Sequence, residues 1–194
     1  MDAIMPERIV AESSDKEAWL TARMTGVTAS DASKLMVGAN LDGLVYKKLN
    51  NTFKGNKWTD WGLEREPIIL EMVDFPQNTA LYRSADNPHF MATPDGIKYI
   101  DGELWLCQVK TTSKGWVEMP EDYRRQCLWE QYVMGATKTL FVWEEHKDFI
   151  PTDLEPKTMV LERDEETIKE LIGLAQDFLQ ILQTQTEPTK EGNK

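Results

Sequence analysis

The chain has 194 residues, enough for one domain with a sizeable core, and its 41% hydrophobic and 28% charged content is ordinary for a soluble globular protein. No apolar run approaches a membrane span, the N-terminal MDAIMPERIVAESSDK lacks the order of a secretion signal, and Cys107 and Cys127 form no CxxC pair or disulfide framework, so a reducing cytoplasm is the expected compartment. The net charge of −11 argues by itself against a nucleic-acid partner, but net charge does not locate charge, and a basic groove or metal-binding carboxylates fit within it.

The first predicted element is a helix over SDKEAWLTARMTG, capped by Ser14 or Asp15 and ending near Thr25. A second helix follows in TASDASKLMVG, with Ser30 or Asp31 as cap and Gly38 as stop. GANLDG reads as loop, LVYKKLNNTF as a short helix and KGNKWTD as a polar loop. From Trp61 to Val73 the 3.6 periodicity predicts a helix with Leu63, Ile69, Leu70 and Val73 on its apolar face. Glu66 shares that face. It sits either at the edge of the stripe reaching solvent or pointing into a site that needs a carboxylate.

From Leu81 the pattern turns to strands. LYRSA is one candidate, and IKYI and ELWLCQVK flank Asp101-Gly102, a strong two-residue hairpin signal. That turn pairs Ile100 with Glu103, Tyr99 with Leu104 and Ile97 with Leu106, and brings Asp95 opposite Gln108. PEDYRRQCLWEQYVMGA is a helix stopping near Gly135, with Tyr123, Gln126, Trp129 and Val133 on one face. TKTLFVWEE and TMVLERD are strands, and DEETIKELIGLAQDFLQILQ is an amphipathic helix. Trp105 and Trp129 read as packing residues. The expected fold class is α/β or α+β, a short mixed sheet flanked by helices. Residues 1–183 are expected to form one domain, and 184–194 a disordered tail.

Alternation puts Gln108 and Lys110 on one strand face, and the hairpin register adds Asp95 to the same patch. Asp95 offers a carboxylate, Gln108 an amide oxygen and Val109 a backbone carbonyl, the hard oxygen donors that Mg²⁺ takes. Lys110 can position an attacking water or stabilise developing negative charge. These are the parts that phosphodiester hydrolysis needs. The same residues also fit a plain surface patch, with Asp95 as a turn residue between Pro94 and Gly96.

Several stretches in order resemble the lambda-exonuclease, or YqaJ-type viral recombinase, family of PD-(D/E)xK nucleases. AWLTARMTGVTASDASKLM is similar to its N-terminal motif through Trp19, Arg23, Gly26, Thr28, Ala29 and Ser30. GLEREPIILE resembles its carboxylate-bearing helix at Glu66, and ATPDG its Ser/Thr-Pro-Asp-Gly element from Thr93 to Gly96. LCQVKTT occupies the Glu-x-Lys strand, and YRRQCLWEQYVMGATKTLFV the helix that carries a glutamine, here Gln126.

The resemblance implies a restriction-endonuclease-like core and a 5′→3′ exonuclease on double-stranded DNA ends, leaving 3′ overhangs for an annealing protein. It implies Mg²⁺ or Mn²⁺ held by Asp95, Gln108, the Val109 carbonyl and Glu66, with Lys110 catalytic. Arg23, Ser30, Thr93 and Gln126 would face DNA phosphate, Arg23 being equally a salt-bridge partner and Gln126 a satisfied core amide. It further implies a ring trimer, phage or prophage origin and the host cytoplasm. Gln108 stands where the family has Glu. It keeps one carbonyl oxygen, loses a charge and gains a donor. Three other readings follow: a catalytically impaired DNA-end-binding protein, a related endonuclease, and an interaction module that reuses the fold.

Overall fold

The computed structural model describes residues 4–186 apart from position 53. Strand β1 (Ile9–Glu12) leads into helix α1 (Lys16–Met24), capped by Asp15, whose Oδ1 accepts from the Ala18 N–H at 3.0 Å. Strand β2 (Val27–Thr28) runs directly into the single turn α2 (Ala29–Ala32). The cap of α2 is Thr28, and not Ser30 or Asp31 as expected. Asp31 is instead the reciprocal partner of a capping box, its Oδ2 accepting from the Thr28 N–H and hydroxyl. Helix α3 (Leu41–Leu49) begins inside the expected loop, because the Asn40 side chain caps it through the Gly43 N–H. The rest of the predicted short-helix stretch is non-helical as far as Thr52, and position 53 lies outside the described residues.

Helix α4 (Lys57–Met72) starts four residues earlier than the periodicity predicts, since Asn56 accepts from the N–H groups of Trp58 and Thr59. Ile69 and Leu70 are buried as expected, but Leu63 is 67% exposed: the apolar cluster between this helix and the sheet is made by its C-terminal half.

Two sheets organise the chain. Strands β3 (Ala80–Arg83) and β4 (Phe90–Ala92) join β1 and β2 in the order β1-β3-β4-β2, with β2 parallel to β4. Strands β5 (Gly96–Ile100), β6 (Glu103–Thr112) and β7 (Lys138–Lys147) form the second, with β8 (Ile150–Pro151) and β9 (Lys157–Glu162) both paired to β7. The β5–β6 hairpin has the predicted register, Ile100↔Glu103 through Ile97↔Leu106, around Asp101 and Gly102, both at positive φ. Helix α5 (Glu121–Met134), ended by Gly135 in the left-handed conformation, is the crossover between the parallel strands β6 and β7.

The main core gathers Val27, Phe90, Trp129 and Val133 against helix α6 (Glu165–Thr186), whose Leu171, Phe178 and Leu182 are buried. Trp129 packs as expected, its indole N–H donating to the Met91 carbonyl at 3.0 Å. Residues 184–186 belong to α6 and not to a tail, and the remainder of the expected tail lies outside the described residues. Cys107 and Cys127 are free and buried. No described helix is long and apolar enough to cross a membrane.

Candidate active site

Strand β6 carries two different faces. Cys107 and Val109 pack with Ile69 and Leu70 of α4, while Leu104 and Leu106 cluster with Met134 of α5. By alternation Gln108 and Lys110 belong to the α5 side. The Lys110 ammonium lies 5.1 Å from the ring centroid of Tyr123, on the first turn of α5.

The last pair of the hairpin, Gly96↔Cys107, leaves the next residue of each strand at its open end. There Asp95 Oδ2 accepts from Gln108 Nε2 at 2.5 Å and from the Val109 N–H at 2.7 Å. A residue's N–H and C=O leave a strand on the same side, so the Val109 carbonyl also faces this open end. Gly96 keeps this approach close: a Cβ there would lie 3.0 Å from Leu70 Cδ2 and 3.1 Å from Cys107 Cβ and the Pro76 carbonyl oxygen, so these neighbours would have to give by a few tenths of an ångström. Gln108 is 2% exposed, and its Oε1 is buried with no hydrogen-bond partner.

Glu66 joins the group from α4. Its Oε1 accepts from Gln77 Nε2 at 3.2 Å, and burial together with the Asp95 charge pushes its carboxyl up to about 7. Burial also raises Asp95, against the opposing pull of the Lys110 ammonium and the Val109 and Gln108 donors. An open depression lined by Gly62, Leu63, Glu66, Val109 and Lys110 gives access. Glu66, Asp95, Gln108, Val109 and Lys110 are thus brought together.

A metal fits this donor set. Among the described residues no three His, Cys, Asp or Glu side chains are arranged to hold an ion by themselves. Asp95 and the Val109 carbonyl are however hard oxygen donors, and Mg²⁺ keeps several waters and asks for few protein ligands. A half-turn of the Gln108 amide, whose nitrogen faces Asp95 at 2.5 Å, would add its orphaned oxygen.

The predicted phosphate contacts divide between two places. Arg23 lies 4.2 Å from the Trp19 ring centroid and donates from Nη2 to Ser30 Oγ at 3.3 Å. Both line a cleft of about 440 Å³ with Lys34, Lys47 and Lys48, the last paired to Asp31 at 2.6 Å. Burial lowers the Arg23 pKa, with the Asp31 charge opposing. The parallel pairing Thr28↔Met91 runs the Ser30 turn beside the segment that leads to Thr93 and Asp95. The Thr93 hydroxyl oxygen is buried without a partner.

Gln126 turns inward, its Nε2 donating to Glu130 Oε1 at 3.0 Å. Trp129 and Val133, on the same side of the helix as expected, pack into the main core. Glu130 was not anticipated as part of the site. It is fully buried, and burial with the Asp95 charge pushes its carboxyl up to about 8. A carboxylate inside the apolar run CLWEQYVM was the available signal, the same kind that marked Glu66.

A family described as "YqaJ-like viral recombinase domain" matches residues 18–137. No curated protein matches the chain. Among solved structures, the chain resembles the alkaline exonuclease LHK-Exo from Laribacter hongkongensis, at a TM-score of 0.68 and 23% identity over 87% of this chain and 93% of that one. That enzyme also matches as its complex with dAMP. A phage-related exonuclease from Haemophilus somnus 129PT follows at a TM-score of 0.61 and 17% identity, over 84% of this chain and 96% of that one. At these identities the likeness shows a shared fold.

Proposed function

The chain belongs to the YqaJ-like viral recombinase family, and from that premise we propose that it is a metal-dependent 5′→3′ exonuclease of double-stranded DNA ends. It leaves 3′ overhangs for recombination by strand annealing. The observation that carries this reading is the junction at the open end of the hairpin, where Asp95 bridges Gln108 and Val109 beside Lys110 and Glu66.

Asp95, the Gln108 oxygen, the Val109 carbonyl and Glu66 would hold Mg²⁺ or Mn²⁺. Such an ion supplies Lewis-acid polarisation of the scissile phosphate and an acidified water. Lys110 orients the attacking water and offsets the charge that grows on the phosphoryl oxygens. Arg23 and Ser30 hold the phosphate of the 5′ end in the basic cleft, and Thr93 offers its unpartnered hydroxyl on the path between cleft and carboxylates. LHK-Exo matches as a complex with dAMP, a mononucleotide of the kind this reaction would release. A ring trimer, an annealing-protein partner, phage origin and action in the host cytoplasm belong to the same proposal.

The neutral Gln108 favours one second reading, an end-binding protein of this fold with impaired catalysis. Linear duplex DNA, 5′-phosphorylated and labelled at one end, separates the two. The exonuclease releases labelled mononucleotides with Mg²⁺ or Mn²⁺, releases none in EDTA, and spares closed circular DNA. Asp95→Ala abolishes release, and Lys110→Ala lowers it roughly 10²–10³-fold. Binding without release, restored by Gln108→Glu, would establish the second reading. Cutting of the closed circle would make the protein an endonuclease.

A further inference from the structure

Glu130 is unused by the mechanism above, and its surroundings give it a place. Met134 of α5 clusters with Leu104 and Leu106 of β6, and the Lys110 ammonium lies over Tyr123 at the other end of the helix. The helix therefore runs antiparallel to the strand. Four helical residues advance about 6 Å, as do two strand residues. Stepping back from Met134 to Glu130 thus matches stepping on from Leu106 to Gln108. Each of the two residues has one buried oxygen with no hydrogen-bond partner, Glu130 Oε2 and Gln108 Oε1. Glu130 is held from behind, since Gln126 donates to its other oxygen. The charges that act on it are those of Asp95 and Lys110.

We propose that Glu130 is a positioning residue that supplies, from α5, the anionic charge that Gln108 lacks on β6. Asp95 and the Gln108 oxygen meet the divalent cation, and the Glu130 carboxylate stands behind them. It raises the affinity of a ligand set with one neutral member without joining that set. This rests on the metal-dependent reading of the site.

The test is Mn²⁺ affinity of the full chain by titration calorimetry above pH 8, where the Glu130 carboxyl is ionised, without DNA, with folding checked by circular dichroism. Glu130→Gln should weaken Mn²⁺ roughly 10–100-fold, the range for residues that support metal ligands. Adding Gln108→Glu to that variant should return the affinity to within about threefold of wild type, because the charge is put back at the strand. A purely structural role for Glu130 would not be rescued from β6. Gln108→Glu alone, which leaves α5 untouched, should improve affinity less than about threefold, since the charge is already present. Unchanged affinity in Glu130→Gln, failed rescue by the double variant, or a gain of tenfold or more from Gln108→Glu alone would each overturn the proposal. Nucleotide release measured on wild type keeps the two failures apart. If wild type binds Mn²⁺ and cuts while these variants behave otherwise than expected, only the role of Glu130 falls. If wild type neither binds Mn²⁺ nor cuts, both fall.

Discussion

A buried carboxylic acid that holds its proton more tightly when folded makes stability fall as pH rises. Glu130 moves from the ordinary 4.5 to about 8, chiefly by burial. Below pH 4.5 it is protonated in both states and contributes no slope. Between 4.5 and 8 the folded chain keeps the proton and the unfolded chain has lost it, so unfolding free energy declines with pH. Above 8 the loss is complete. Glu66 acts in the same direction up to about 7 and cancels when variants at position 130 are compared with wild type. In EDTA, the difference in melting temperature between Glu130→Gln and wild type should therefore grow from pH 4.5 to 8 and level off beyond. A difference on the order of ten degrees is expected, since the shift is worth about 5 kcal/mol and about 1 kcal/mol moves Tm by about 2–4 °C in a chain of this size. A flat difference would show that Glu130 titrates normally. Gln108→Glu should do the opposite to the metal-free protein. It replaces the amide donor to Asp95 with a second anion, at a cost of about 1–3 kcal/mol. Both oddities of the site were legible as residue types: Glu66 on an apolar helix face and Glu130 within CLWEQYVM. Only Glu66 had a motif to say which way it points. Glu130 needed the packing of Met134 to set the helix against the strand.

Short elements carry the site, and glycine at one of them is obligatory. A Cβ on Gly26 would lie 2.2 Å from the His89 carbonyl oxygen, which also accepts from the Val27 N–H. Gly26→Ala must push β2 from β4, separating the Arg23–Ser30 cleft from the Thr93–Asp95 segment. We expect a loss of about 1–3 kcal/mol in denaturant unfolding and a larger fall in DNA-end processing than in Mn²⁺ affinity. An equal fall in both would mean the two places are not joined through this pairing. β2 and β4 escape a reading by periodicity for a related reason. They have two and three residues, all buried, so no alternation marks them. They pair with each other across some sixty positions. The β5–β6 hairpin was legible because its register comes from a local turn, and α6 because twenty-two residues repeat one apolar face. Helix starts shifted where a cap outweighed periodicity, as at Asn56 and Thr28.

Over the whole molecule, a net charge of −11 and a phosphate ligand are compatible only if the cations are gathered in one place. The cleft gathers Arg23, Lys34, Lys47 and Lys48, with Asp31 in their midst. Gathering has a measurable signature. Each phosphate neutralised releases counterions, so affinity for duplex ends falls with salt by about 0.9 log units per log unit of salt per contact. Binding to a 5′-phosphorylated duplex in EDTA, followed by fluorescence anisotropy across salt concentrations, should follow such a line despite the acidic exterior. Arg23→Ala should reduce its slope by about one contact and remove the preference for a phosphorylated over a hydroxyl end. Substituting a lysine outside the cleft, such as Lys98, whose ammonium is occupied by Asp74, should leave both unchanged. A slope insensitive to Arg23 would move the DNA path away from this cleft. Salt-independent behaviour would remove DNA as the partner and leave a fold used for protein contacts, because an acidic chain can hold a polyanion only through the ions it displaces.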